Sequence, residues 1–199
     1  MPEPQNPIKV LWERLRAAPP QEVAARARVA YDAEQKAYRV PLCGRDHLVR
    51  PAEEKVEGPE GFPGYEAMLI CVQYLLTARG EPPAGDMVDP KSLPYGDFFF
   101  RGPHPMPTDR LEAAFGESLD AFRRAAEALG GRPVEMGDAA YEFLVLPRVP
   151  VTVILWAADD EFPARAQFLL DRWADHHFPL DALWVLCRLL AKLLVSALP

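Results

Sequence analysis

The sequence predicts a single α+β domain, mostly helical, and three observations carry that expectation. Two β-rich runs, residues 141–146 and 151–156, lie on either side of Pro147-Arg148-Val149-Pro150, the pattern of an antiparallel hairpin. Most other apolar residues recur at helical spacing. Elements of each type come in runs rather than in strict alternation, which separates α+β from α/β architectures. The length of 199 residues agrees, since about 150 residues make one domain. No repeat or linker divides the chain, so residues 1–199 read as one unit.

In chain order, Pro7 stands at a first helical position behind Asn6, with Ile8, Leu11, Trp12 and Leu15 following on one face. Pro19-Pro20 ends that helix and opens a second, so residues 6–29 read as a helical N-terminal arm. Residues 37–50 read as a smaller hairpin around Cys43-Gly44-Arg45-Asp46, with Pro41 assigning its first strand to a sheet edge. Residues 53–64, charged and rich in Gly and Pro, read as loop. Residues 65–79 carry Met68, Leu69, Val72, Leu75 and Leu76 as an apolar stripe stopped by Gly80. Residues 81–107 show no period, and Phe98, Phe99 and Phe100 are expected to pin them to the core. Thr108 caps a helix to about residue 129, where Gly130-Gly131 stops it.

The buried hairpin spans about residues 140–157. Asp159-Asp160-Glu161-Phe162-Pro163 has the acids and the proline of a helix start, and that helix would run to about residue 174. His176-His177-Phe178-Pro179 breaks it. In the last helix Asp181, Arg188, Lys192 and Ser196 form a polar stripe, while Leu183, Leu186, Leu190, Leu193 and Leu194 lie mostly elsewhere on the wheel. That is an amphipathic helix docked on a core.

Composition excludes several classes. Apolar residues make up 49% and charged residues 26%, which argues against disorder. A net charge of −7 argues against a duplex nucleic-acid binder, which needs cations to neutralise phosphates. The stretch of residues 183–198 is too short and too charged to span a bilayer, which takes about 20 apolar residues. Three cysteines, Cys43, Cys71 and Cys187, cannot make a disulfide framework, and Cys71 and Cys187 read as small core residues. The first residues lack a basic region followed by an apolar one. A cytoplasmic protein with reduced thiols, monomeric or homodimeric and without a membrane or nucleic-acid partner, is expected.

No phosphate-binding loop, dinucleotide fingerprint, HExxH or paired cysteines occur, so binding is favoured over catalysis. Asp159, Asp160 and Glu161 are the leading candidates, because adjacent carboxylates repel unless a cation, a helix start or basic partners hold them. Asp171 follows the apolar run Phe168-Leu169-Leu170, so it is expected half buried and paired with Arg148 or Arg165. His176 or His177 with Asp171 and Asp159 or Glu161 would suit a divalent metal by ligand type, the set being Asp159, Glu161, Asp171 and His177. The competing reading makes the acids a helix cap and the histidines a helix C-terminus. Trp156 and Arg148, at the two ends of the hairpin, join the ligand-binding candidates. Tyr95, Phe98 and His104 are expected to line an apolar pocket.

The run Leu146-Pro147-Arg148-Val149-Pro150, Trp156, Asp159-Asp160-Glu161-Phe162-Pro163, Phe168, Leu170-Asp171 and Phe178-Pro179 resembles the prokaryotic family called domain of unknown function 3786. Tyr74-Leu75-Leu76, residues 95–99, Phe115-Gly116, and Leu129-Gly130-Gly131 before Gly137-Asp138 extend the likeness over residues 28–198. The resemblance implies proteins of anaerobic bacteria and archaea, some joined to an iron–sulfur module of the kind found in corrinoid iron–sulfur proteins. This chain lacks that module, and three cysteines cannot hold a four-cysteine cluster. The resemblance implies an accessory or cofactor- and partner-binding module of anaerobic redox or one-carbon metabolism. Its ligand would be a corrinoid or other tetrapyrrole, or a divalent metal, and its partner an iron–sulfur or corrinoid protein. A metal-dependent hydrolase using the Asp/Glu/His set is one alternative. A plain interaction domain, docking through its last helix, is the other.

Overall fold

The computed structural model describes residues 7–60, 62 and 64–197; the cap expected at Asn6, and Leu198, lie outside them. The chain opens with α1 (Pro7–Ala17) and α2 (Pro20–Ala27). A meander follows, β1 (Ala30–Asp32), β2 (Ala37–Leu42), β3 (Arg45–Arg50) and β4 (Lys55–Glu57), and then α3 (Gly64–Thr77). Next come β5 (Met87–Val88), α4 (Gly96–Arg101), α5 (Thr108–Phe115) and α6 (Leu119–Ala128). The C-terminal part holds β6 (Arg132–Val134), β7 (Ala139–Leu146), β8 (Val149–Trp156), β9 (Arg165–Asp171), α7 (Ala174–His177) and α8 (Leu180–Ser196). Helix accounts for 44% and strand for 24%, so this is the helix-dominated α+β fold the sequence predicts.

Two antiparallel sheets form, one ordered β1-β2-β3-β4 and one ordered β5-β9-β8-β7-β6. They meet where the Cys43 N–H donates to the Val145 carbonyl at 2.9 Å. Strand alternation sets the layers. Tyr141, Phe143 and Val145 of β7, Val151, Val153 and Leu155 of β8, and Phe168 and Leu170 of β9 enter one core with α3, α5, α6 and α8. Tyr38, Val40 and Leu42 of the small sheet join the same core. The opposite face of the large sheet carries a smaller cluster, Ala140, Ile154 and Leu169, with Met87, Val134 and Trp156 against it.

The hairpin of about residues 140–157 is β7–β8, turning at Pro147-Arg148 with a bulge near Leu144. The hairpin of residues 37–50 is β2–β3, but it widens into four strands. Pro41 does not mark an edge, because β2 lies between β1 and β3. It is tolerated there because β1 pairs only with Ala37, Tyr38 and Arg39, leaving Pro41 without a ladder partner on that side. The irregular segment of residues 81–107 contains β5, a 3₁₀ turn at Pro90–Ser92, and α4.

Two helix expectations are overturned. The expected helix of residues 159–174 is strand β9, pairing along β8 from Trp156↔Arg165 to Val151↔Leu170. Phe168, Leu169 and Leu170 are apolar on every side because β9 is an interior strand buried on both faces. The long helix from Thr108 is two helices, α5 and α6. Gly116 separates them in a space where a Cβ would lie 2.4 Å from the Ala164 Cβ. Ser118 then caps α6, its hydroxyl accepting from the Ala121 N–H at 3.3 Å.

Helix α8 packs on α3, α5 and α6. Its Leu183, Leu186, Leu190 and Leu194 are buried in that core, as the amphipathic pattern predicts. Among the described residues no helix is long and apolar enough to cross a membrane.

Phe168 is 1% exposed, so Phe168→Ala should cost about 3–5 kcal/mol in urea unfolding, as for a large core ring replaced by a methyl. A loss near zero would contradict its central place in β9.

Candidate functional site

Because β9 runs antiparallel to β8, its two ends lie at opposite poles of the sheet. Seven residues of strand at about 3.3 Å each separate them by roughly 20 Å. Trp156 and Arg165 pair at one pole, and the turn carrying Asp159, Asp160 and Glu161 extends from it. Asp171 ends the strand at the other pole, near His177. The proposed metal set therefore does not converge, and among the described residues no group of three His, Cys, Asp or Glu is placed to hold a metal.

The Asp171 pole is built for structure. Asp171 is fully buried and accepts from the backbone N–H groups of Ala84 at 2.9 Å, Gly85 at 2.7 Å and Trp173 at 2.9 Å. Its partners are amides rather than Arg148 or Arg165. Arg148 instead donates to the Arg26 carbonyl at 2.7 Å and to the Glu81 carbonyl at 2.8 Å, tying the β7–β8 turn to α2 and to the following loop. His177 is buried. Its Nδ1 accepts from the Arg79 N–H at 3.4 Å, and among the described residues its Nε2 has no hydrogen-bond partner. Burial foremost, with Arg148 and His176 adding to it, holds its pKa below the ordinary value and outweighs Glu81 and Asp171.

His104 and Tyr95 part company. His104 stacks on Phe99 at 4.4 Å and meets the edge of Trp184 at 5.0 Å. Tyr95 and Phe98 point outward, 87% and 89% exposed. Tyr95 and Phe98 thus face away from His104 rather than enclosing a pocket with it, on a segment held tightly by Gly96, whose Cβ position lies 2.1 Å from the Pro90 carbonyl oxygen.

The other pole has a cavity of about 580 Å³. Trp156 forms one wall, and the guanidinium of Arg165 lies 5.1 Å from its ring centroid. Phe162, Pro163 and Ala164 also line it, with Phe162 66% exposed. Asp138 and Asp159 stand at the rim and also anchor it. Asp138 Oδ2 accepts from the Ala157 N–H at 2.9 Å. Asp159 Oδ1 accepts from the N–H groups of Glu161 at 2.8 Å and Phe162 at 2.7 Å. These two bonds hold its carboxyl below the usual range, because they favour the ionised form. Asp160 and Glu161 are exposed and do not line the cavity.

The predicted acids thus include one pocket residue, Asp159, and Trp156 is a second. Asp138 and Arg165 are pocket residues that the sequence does not single out. Gly137 gave the available signal: its positive φ of 56° and its close approach to Ile154 and Trp156 mark a turn that only glycine fits and that delivers Asp138.

The thiols offer no nucleophile. Burial pushes Cys43 up to about 12 and raises Cys71 and Cys187 further, so none is a thiolate near neutrality.

What fold and site define is a single-domain α+β protein with an aromatic, acid-rimmed pocket at one pole of an antiparallel sheet. The chain belongs to the family described as domain of unknown function (DUF3786), whose model matches residues 19–193. No curated protein and no solved structure matches it.

Removing the Asp171 carboxylate orphans three amides, and hydrogen bonds to charged groups contribute about 1.5–3 kcal/mol each. Asp171→Ala should therefore lower stability by at least about 3 kcal/mol in urea melts, whereas an unchanged midpoint would refute a structural role. His47 is also buried, with its pKa lowered mainly by burial. Both imidazoles gain protons on unfolding near their ordinary value of 6.5. Their contribution is whole above that value and declines as pH falls through it toward the lowered folded values. Melts across this range should show the decline, and His177→Gln should make it shallower.

Proposed function

We propose that this chain is a non-catalytic binding module whose recognition site is the Trp156 pocket. The observation that carries the reading is the cavity itself. Trp156 and Phe162 line about 580 Å³ beside the backbone-anchored carboxylates of Asp138 and Asp159, within the roughly 300–1,000 Å³ of small-molecule sites. Groups that commonly do chemistry are engaged elsewhere: the thiols are buried, His177 is an interior acceptor, and His104 is stacked between rings.

The setting we propose is accessory to redox or one-carbon enzymes of anaerobes, with a corrinoid or an iron–sulfur protein as partner. The family resemblance supports that setting. A whole corrin ring is large for this cavity, so a protruding group of the cofactor, or a side chain of its carrier protein, would enter. A second reading, an interaction domain, is favoured by the outward-pointing Tyr95 and Phe98.

The test is a titration of ¹⁵N-labelled protein with aquocobalamin and with a corrinoid iron–sulfur protein. Shifts should centre on the Trp156 indole and the Ala157 and Phe162 amides, and Trp156→Ala should weaken binding at least tenfold, about 1.4 kcal/mol. Binding lost instead in a Tyr95→Ser/Phe98→Ser variant would favour the interaction reading. Silence with both probes would overturn the proposed setting.

A further inference from the structure

We propose that the Trp156 pocket receives an organic cation, an alkylammonium or guanidinium group on an apolar body. This rests on the reading of that pocket as the recognition site and specifies the charge of what it recognises. Three observations carry it. First, Trp156 and Phe162 both line the pocket, and an aromatic face attracts cations within about 6 Å of its centroid.

Second, the rim is charged but not neutralised. Asp138 and Asp159 each spend one oxygen on backbone amides. Among the described residues the other oxygen of each has no hydrogen-bond partner. Those two oxygens are free acceptors for an N–H donor or a quaternary charge. Asp160 and Glu161 on the same turn add negative field without an ion pair of their own. An incoming anion would meet this field with only Arg165 to offset it.

Third, the chain already places a cation there. The Arg165 guanidinium lies 5.1 Å from the Trp156 centroid, yet among the described residues no carboxylate pairs with it. The Trp156 ring is its contact, so it marks where a positive group rests. The turn bearing Phe162 is pinned by backbone bonds: the Asp159 N–H donates to the Phe162 carbonyl at 3.0 Å, and the Ala158 N–H donates to the Gly116 carbonyl at 3.0 Å. A preorganised site of this kind binds without first ordering its walls.

The charge sign makes Arg165 diagnostic. It competes with a cationic ligand for the Trp156 face, whereas it would anchor an anionic one. The experiment titrates ¹⁵N-labelled full-length protein with benzyltrimethylammonium, with 4-phenylbutyrate, and with a short alanine peptide bearing one central arginine. The Trp156 indole and Ala157 amide signals are followed. Benzyltrimethylammonium and the arginine peptide should saturate these shifts and phenylbutyrate should not. Arg165→Gln should tighten the cations severalfold, and Asp138→Asn should weaken them severalfold. The peptide binding more tightly than the free cation would assign the site to a partner's side chain, and the reverse order would assign it to a small molecule. Phenylbutyrate binding that disappears in Arg165→Gln would overturn the cation assignment while leaving the pocket as the recognition site. No shift with any probe would overturn both.

Discussion

The carboxyl group of Asp171 is fully excluded from water and accepts from three backbone amides, those of Ala84 and Gly85 in a distant stretch of chain and that of Trp173 close by. A buried acid without such partners would cost several kcal/mol, so the loop bearing Ala84 and Gly85 has little freedom to lie elsewhere. That loop leads into β5, which pairs with the end of β9 at Met87↔Asp171 and Val88↔Leu170. Arg172 reinforces the junction, its N–H donating to the Asp86 carbonyl and its side chain pairing with the Asp86 carboxylate. With one end of β9 fixed between β5 and β8, the register of the whole strand follows, and Arg165 comes to lie opposite Trp156.

The large sheet therefore has two poles with different duties. One spends its polar groups on the fold: Asp171 on amides, Arg148 on carbonyls, His177 on a single amide. The other leaves polar and aromatic groups uncommitted around a cavity, with Phe162 exposed and with free oxygens on Asp138 and Asp159. Loops that carry recognition groups on a rigid scaffold are the common location for binding sites. The pairing β8–β9 supplies that scaffold here.

Much of this was legible in the sequence, for reasons that can be named. Residues 141–156 announced a hairpin because valine, isoleucine and aromatics crowd two runs of strand length around prolines. Residues 159–171 misled, because acids followed by proline mark helix starts while Asp159 in fact closes a tight turn with Phe162. The run Phe168-Leu169-Leu170 has no period of its own and fits a buried strand as well as a helix. Asp171 was recognisable as a buried acid, but two of its three donors lie 86 and 87 residues away, beyond any local signal. Arg165 was legible only as a charge near Asp171, and the seven-residue length of β9 sends it to the opposite pole.

Amide hydrogen exchange at Ala84 and Gly85 tests the central constraint most directly. Both residues sit in an exposed loop outside any helix or strand, so their amides would ordinarily exchange fast. The account requires them to exchange as slowly as the amides within β9, since the same buried carboxylate holds them. Exchange at the rate of an unstructured loop would contradict it, and with it the register that brings Arg165 to Trp156.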